Sequence, residues 1–136
     1  MTVLTGKMKY LSPEWKTAVE SLLKSELSAE KMNRINSSMS NIYLNCPDGK
    51  ERFIYFKYVD GLLEEFMVGE GEPPEAEFKI TGDYETLAKI SRGEMGSQVA
   101  LMSGKLKLKG NMVKALKLAS IADRINKVIS KVDAAY

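Results

Sequence analysis

Gly104-Lys-Leu-Lys-Leu-Lys-Gly110, running directly into Asn111-Met-Val-Lys-Ala-Leu-Lys-Leu118, decides how this 136-residue chain reads. Leu106 and Leu108 alternate with Lys105, Lys107 and Lys109, the period-2 signature of a strand with one buried face. Gly110-Asn111 ends that strand, and the side-chain oxygen of Asn111 can accept from a backbone N–H in the first turn of a helix. The helix expected from about Met112 to Val132 carries two apolar stripes. Met112, Leu116, Ala119, Ala122 and Ile129 form one, and Leu118, Ile121, Ile125, Val128 and Val132 the other. A helix lying on a single sheet needs only one such stripe. The surplus has to meet a ligand, a second chain or another helix.

Upstream of this unit the chain reads as a sheet. Ile42, Leu44 and Cys46 alternate with Tyr43 and Asn45 as a first strand, and Pro47-Asp48-Gly49-Lys50 turns it into a second, Arg52 to Val59. Asp60-Gly61 is a strong two-residue hairpin signal, leading to a third strand from Leu62 to Val68. After the Gly69–Pro74 loop, Glu75 to Thr81 completes a meander of antiparallel strands. The second strand is apolar on both sides, with Phe53, Tyr55 and Val59 opposite Ile54, Phe56 and Tyr58. Such a strand is central and covered on both faces, or it lines a cavity. Helices fill the remainder. Ser12-Pro13-Glu14 starts one bearing Trp15, Val19, Leu22 and Leu23. Ser28 is placed to cap a second with Met32 and Ile35, and Asp83 a third running to Arg92. Glu94 to Met102 forms a fourth, with Met95, Val99 and Met102 as its stripe.

ThrGlyAspTyr at 81–84, Ala88-Lys-Ile-Ser-Arg-Gly93, Ala100-Leu-Met-Ser-Gly-Lys-Leu-Lys-Leu-Lys-Gly110 and Lys114-Ala-Leu-Lys-Leu118 together resemble the sterol-carrier-protein type 2 (SCP-2) domain family. The resemblance is specific over about residues 76–120, looser over the hairpins before them and absent from the first thirty or so residues. It implies an α+β fold, a five-stranded mainly antiparallel sheet with helices packed on one face, and a hydrophobic tunnel for a fatty-acyl, sterol-like or isoprenoid chain. Ser103 departs from the glutamine that many members carry before this glycine, so no headgroup contact is implied there. From the strand faces and helix stripes, the candidate lipid-contacting residues are Ile54, Phe56, Phe78, Met95, Val99, Met102, Leu106, Leu108, Met112, Leu116, Ile121 and Ile125. Eight methionines suit an adaptable apolar pocket, or serve as ordinary core filler.

The absence of histidine removes Ser-His-Asp and Cys-His activation, histidine metal ligands and the usual general base near neutral pH. One cysteine, Cys46, excludes an internal disulfide and a Cys-based zinc site and fits a reducing compartment. Gly104-Lys105 is no P-loop, since Val99 stands where the earlier glycine belongs and Leu106 where Ser or Thr would hold magnesium. No catalytic residue, cofactor or metal is therefore expected. Residues 103–136 carry eight bases against Asp123 and Asp133, a net of +6, while 60–86 carry nine acids against Lys79, a net of −8. The basic segment suits anionic lipid headgroups. No aromatics interleave with its lysines, so nucleic acid is not an expected partner. MTVLTGKMKYLSPEW lacks the apolar core of a signal peptide, and Asp133-Ala-Ala-Tyr136 is no peroxisomal address. One domain over 1–136 in the cytoplasm is the expectation, with lipid binding as the function and an accessory dimerisation or interaction role as the alternative.

Overall fold

The computed structural model describes residues 8–136. The first seven, over which part of the signal-peptide reading was made, lie outside the described residues. A short strand, β1 (Met8–Lys9), leads into α1 (Pro13–Glu26), which starts where the sequence places it: Ser12 Oγ accepts from the Trp15 N–H at 3.2 Å. Trp15, Val19 and Leu23 are fully buried, and α1 packs on the last helix and on the sheet edge. The helix expected after Ser28 does not form. Ser28 Oγ does accept from the Lys31 N–H, but the chain then turns through 29–34, with Asn33 and Arg34 at positive φ. Met32 is nevertheless completely buried.

The main sheet comprises β2 (Ser37–Leu44), β3 (Arg52–Val59), β4 (Leu62–Glu70), β5 (Phe78–Asp83) and β6 (Leu106–Lys109), in the spatial order β4-β3-β2-β5-β6. Three of its four pairings are antiparallel. The β3–β4 hairpin turns on Asp60 (φ 50°) and Gly61 (φ 78°), the positive pair that a mirror-type turn requires. Gly61 is doubly constrained, because a Cβ there would sit 2.6 Å from the Ala29 carbonyl oxygen.

The meander breaks at β5. This strand does not continue beside β4 but crosses to the far side of β2 and pairs with it in parallel, Met39 opposite Phe78. The connecting strap at 71–77 is fastened across the sheet: Ser40 Oγ donates to the Pro74 carbonyl at 3.0 Å, and the Glu77 N–H donates to Ser38 Oγ at 2.8 Å. Those bonds explain why β2 begins at Ser37, five residues before the expected start. Its serines precede the apolar alternation that marked the strand, yet Ser40 is buried with its hydroxyl satisfied.

Register assigns the faces. Met39, Asn41, Ile54, Phe56, Phe66, Ile80, Leu106 and Leu108 share one side through their cross-strand partners, and the helices lie over it. On the other side Ile42, Phe53 and Tyr55 are buried, and the Phe53 ring lies so close over Gly69 that a Cβ would meet it at 2.9 Å. Thus β3 is covered on both faces.

α2 (Tyr84–Ser91) follows β5 directly. Asp83 occupies its N-cap position, but the carboxylate accepts from Asn45 Nδ2 at 2.7 Å rather than from the helix. α3 (Ser97–Met102) starts three residues later than expected. After β6, α4 (Met112–Ile129) is capped as foreseen, Asn111 Oδ1 accepting from the Lys114 N–H at 3.0 Å, and it ends three residues short of Val132. A last strand, β7 (Ala134–Ala135), pairs in parallel with β1.

Candidate functional site

Between the sheet and α4 lies an apolar cavity of about 90 Å³. Its floor is Met39, Phe56, Phe78, Ile80 and Leu106, and its roof includes Ala115, Ala119 and Ala122 of α4 with Leu101 of α3 and Ile90 of α2. The space exists because α4 presents alanines at three- and four-residue steps where larger side chains would reach the sheet. Gly82 contributes on the strand side: a Cβ there would lie 2.5 Å from Leu106 Cδ2, so its absence lets Leu106 settle against the strand. The lining residues extend along β2 from Ser37 to Tyr43, six residue steps or about 20 Å of strand.

Among the described residues, no Asp, Glu, Lys or Arg lines this cavity. Its polar groups differ in how they are engaged. At the Tyr43 end, the Tyr43 and Tyr10 hydroxyls lie 2.5 Å apart and Tyr10 is 2.6 Å from Ser91 Oγ, a closed relay. At the Ser37 end, the serine hydroxyl donates to Glu77, which also holds Lys114. Tyr58 lines the same end, and its hydroxyl is buried with no hydrogen-bond partner among the described residues. Burial raises the Tyr43 and Tyr58 phenols well above the usual range, so both are neutral at physiological pH.

Of the twelve sequence-expected contact residues, Phe56, Phe78, Leu106, Ile121 and Ile125 line the cavity. Ile54 is buried in the core outside it, and Met95, Leu108 and Leu116 are partly buried against the core. Val99, Met102 and Met112 are exposed, by 63%, 71% and 44%, which puts them outside the cavity. The reason is phase. Because α3 begins at Ser97, its buried residues are Ser97, Ala100 and Leu101. In α4 the wall includes Ala115, Leu118, Ala119, Ile121, Ala122 and Ile125, so of the stripe drawn through Met112 the residues Ala119 and Ala122 reach the cavity while Met112 and Leu116 do not. Sequence reasoning missed Met39, Tyr43, Tyr58, Leu101 and Ala115. Tyr58 was legible on the Phe56 face of its strand; the alanine line carried a signal only as missing volume.

The second α4 stripe is not offered to solvent. Ile121, Ile125, Val128 and Val132 are buried within the chain, and Leu118 is partly buried on the cavity wall. A larger cavity of about 460 Å³ lies elsewhere, among Lys9, Tyr10, Cys46, Asp48, Arg52, Tyr84 and Tyr136. Its Arg52 is already paired with Asp48 and Glu70, and its mixed lining offers no continuous apolar wall. Among the described residues, no group of three or more Cys, Asp or Glu is placed to hold a metal ion, and no helix is long and apolar enough to cross a membrane.

The profile described as the SCP-2 sterol transfer family matches residues 18–123, reaching back into α1. This chain belongs to that family. Among curated proteins, hydroxysteroid dehydrogenase-like protein 2 of Rattus norvegicus is 32% identical over 106 residues, 77% of this chain and 19% of that protein. The Xenopus laevis protein of the same name is 43% identical over 90 residues, 65% of this chain and 21% of that one. The SCP-2 chain thus spans about a fifth of the length of these relatives. A crystal structure of sterol carrier protein 2 superposes with a TM-score of 0.77 at 24% identity, covering 91% of this chain and 99% of that one. The apo form of sterol carrier protein 2 from Yarrowia lipolytica gives 0.55 at 23% identity, with 82% and 86% covered. At such identities the likeness is one of fold.

Proposed function

We propose that this chain is a non-enzymatic lipid carrier, holding an acyl, sterol-like or isoprenoid chain between the sheet and α4. The observation that carries the reading is the apolar, charge-free cavity at the alanine line of α4, in a chain of the SCP-2 family. Burying some 15 methylenes at about 0.8 kcal/mol each is worth roughly 12 kcal/mol. Ordering the chain offsets part of this. So does widening the cavity, since 90 Å³ lies below the roughly 300–1,000 Å³ typical of ligand pockets. The expected outcome is roughly micromolar binding that tightens with chain length. A titration with fluorescent lipids of graded chain length checks it, and an affinity flat with length overturns the reading.

Loading at a membrane surface is part of the proposal. Val99, Met102, Met112 and Val113 are exposed on α3 and the first turn of α4, and Lys105, Lys107, Lys114 and Lys117 are exposed on the same stretch of chain. Apolar side chains among lysines complement an anionic bilayer. Lipid transfer between vesicles is expected to accelerate when the vesicles carry anionic lipid and to slow as salt rises through the physiological range. Transfer kinetics indifferent to both would assign these lysines to solvated surface. The alternative, an accessory interaction module, is favoured by the length of the curated relatives, of which this chain matches one part. It predicts a sedimenting complex and no lipid-length dependence.

A further inference from the structure

We infer that the free edge of β6 is a docking site for an extended acidic segment of a partner protein, added to the sheet as a sixth strand. The inference goes beyond the carrier reading and does not depend on it. β6 lies at the end of the strand order, with β5 on one side and no strand on the other. Among the described residues, the backbone of Leu106–Lys109 makes no hydrogen bond outside its pairing with β5, so its outward N–H and C=O groups have no protein partner.

The side chains define the strand that fits. Register places Lys79 directly opposite Lys109, and Lys107 on the same face, the one turned away from the helices. Like charges facing each other across a ladder are destabilising. Lysines nearby are neutralised, Lys57 by Glu64 and Glu65 and Lys114 by Glu77. Among the described residues, Lys79, Lys107 and Lys109 have no carboxylate within 4.0 Å, although the acidic strap crosses the same face at β2. Lysines on an edge strand guard against unwanted pairing. That accounts for Lys107 and Lys109 but not for Lys79, which stands one strand in from the edge. A strand with acids at alternate positions would lay them along this lysine row. Its other side chains would point to the helix-covered face, beside the partly buried Leu108. A bilayer has no backbone groups to offer the edge.

The test uses a fluorescein-labelled nine-residue peptide of alternating glutamate and valine, and a block peptide of the same composition with its glutamates contiguous. Fluorescence anisotropy is expected to show the alternating peptide binding at least about tenfold tighter. Equal affinities would mean that charge alone acts, and would overturn the added strand. N-methylation of the valines removes the donors of one peptide edge, and N-methylation of the glutamates those of the other. One version is expected to lose binding and the other to keep it; equal losses, or none, would overturn the sheet pairing. Lys79→Gln combined with Lys109→Gln is expected to weaken the alternating peptide about fivefold, while binding to vesicles containing phosphatidylserine stays within about twofold. The reverse pattern would give the lysine row to a bilayer and overturn the proposal. A last measurement needs no ligand. Lys79→Gln alone is expected to raise the melting temperature by about one to three degrees as the facing charges are relieved. A fall would show Lys79 engaged within the chain and would overturn the reading of an open row.

Discussion

Ile125→Asp is expected to abolish the folded state. Ile125 is 5% exposed and belongs to the core cluster, on the face of α4 turned to the sheet. A carboxylate at that position meets a cavity wall with no cation to pair with among the described residues. Burying an unpaired charge costs several kcal/mol, comparable with the roughly 5–15 kcal/mol that holds a domain together. Circular dichroism at 25 °C is expected to show lost structure, and no folded monomer is expected to appear in sedimentation. A folded variant melting within a few degrees of wild type would mean that α4 does not rest on the sheet. The same outcome separates a buried stripe from a dimer-forming one, because charging an interface between chains leaves each chain folded.

Ala119→Phe is expected to do the opposite: keep the fold and remove the binding. Ala119 is buried in the alanine line, and an aromatic ring there projects into the space a lipid chain would occupy. Overpacking a filled core costs about 1–3 kcal/mol, and an existing cavity absorbs part of that. The melting temperature is therefore expected to fall by several degrees at most, while affinity for a long-chain probe falls by at least about tenfold. A folded variant with wild-type affinity would place the ligand elsewhere, with the larger cavity beside Arg52 as the next candidate.

Local chemistry made much of the fold legible. Lysine–leucine alternation marked β6, Asn111 and Ser12 marked the starts of α4 and α1, and Asp60-Gly61 marked the β3–β4 turn. Each is a short-range device whose energetics are settled within a few residues. The signals failed where a distant segment decides. Ser37 to Ser40 stand outside the expected first strand, which starts at Ile42 where the apolar alternation begins, yet the strap at 71–77 supplies partners to Ser38 and Ser40. The methionine–valine stripe on 94–102 read as lipid-contacting because periodicity carries no information about where a helix begins. Once α3 starts at Ser97, its exposed side chains include Val99 and Met102. The cavity was the least legible feature. It is made by what Gly82 and Ala119 lack, and hydrophobic stripes advertise volume that is present.

The parallel join between β2 and β5 has a consequence for how the chain reaches this state. Ser38 and Glu77, hydrogen-bonded where the strap meets the sheet, are 39 residues apart. Closing a loop of that size sacrifices chain entropy before any contact repays it. The β2-β3-β4 ribbon closes through local turns, so it can assemble early, whereas β5 has to wait for the strap to lie down. Until it does, β2 presents an unpaired edge, and Ser40, which is buried in the finished sheet, has no carbonyl to receive its proton. The middle of the sheet is therefore the last seam to be sewn, and the hazard of pairing with another chain during folding is concentrated there.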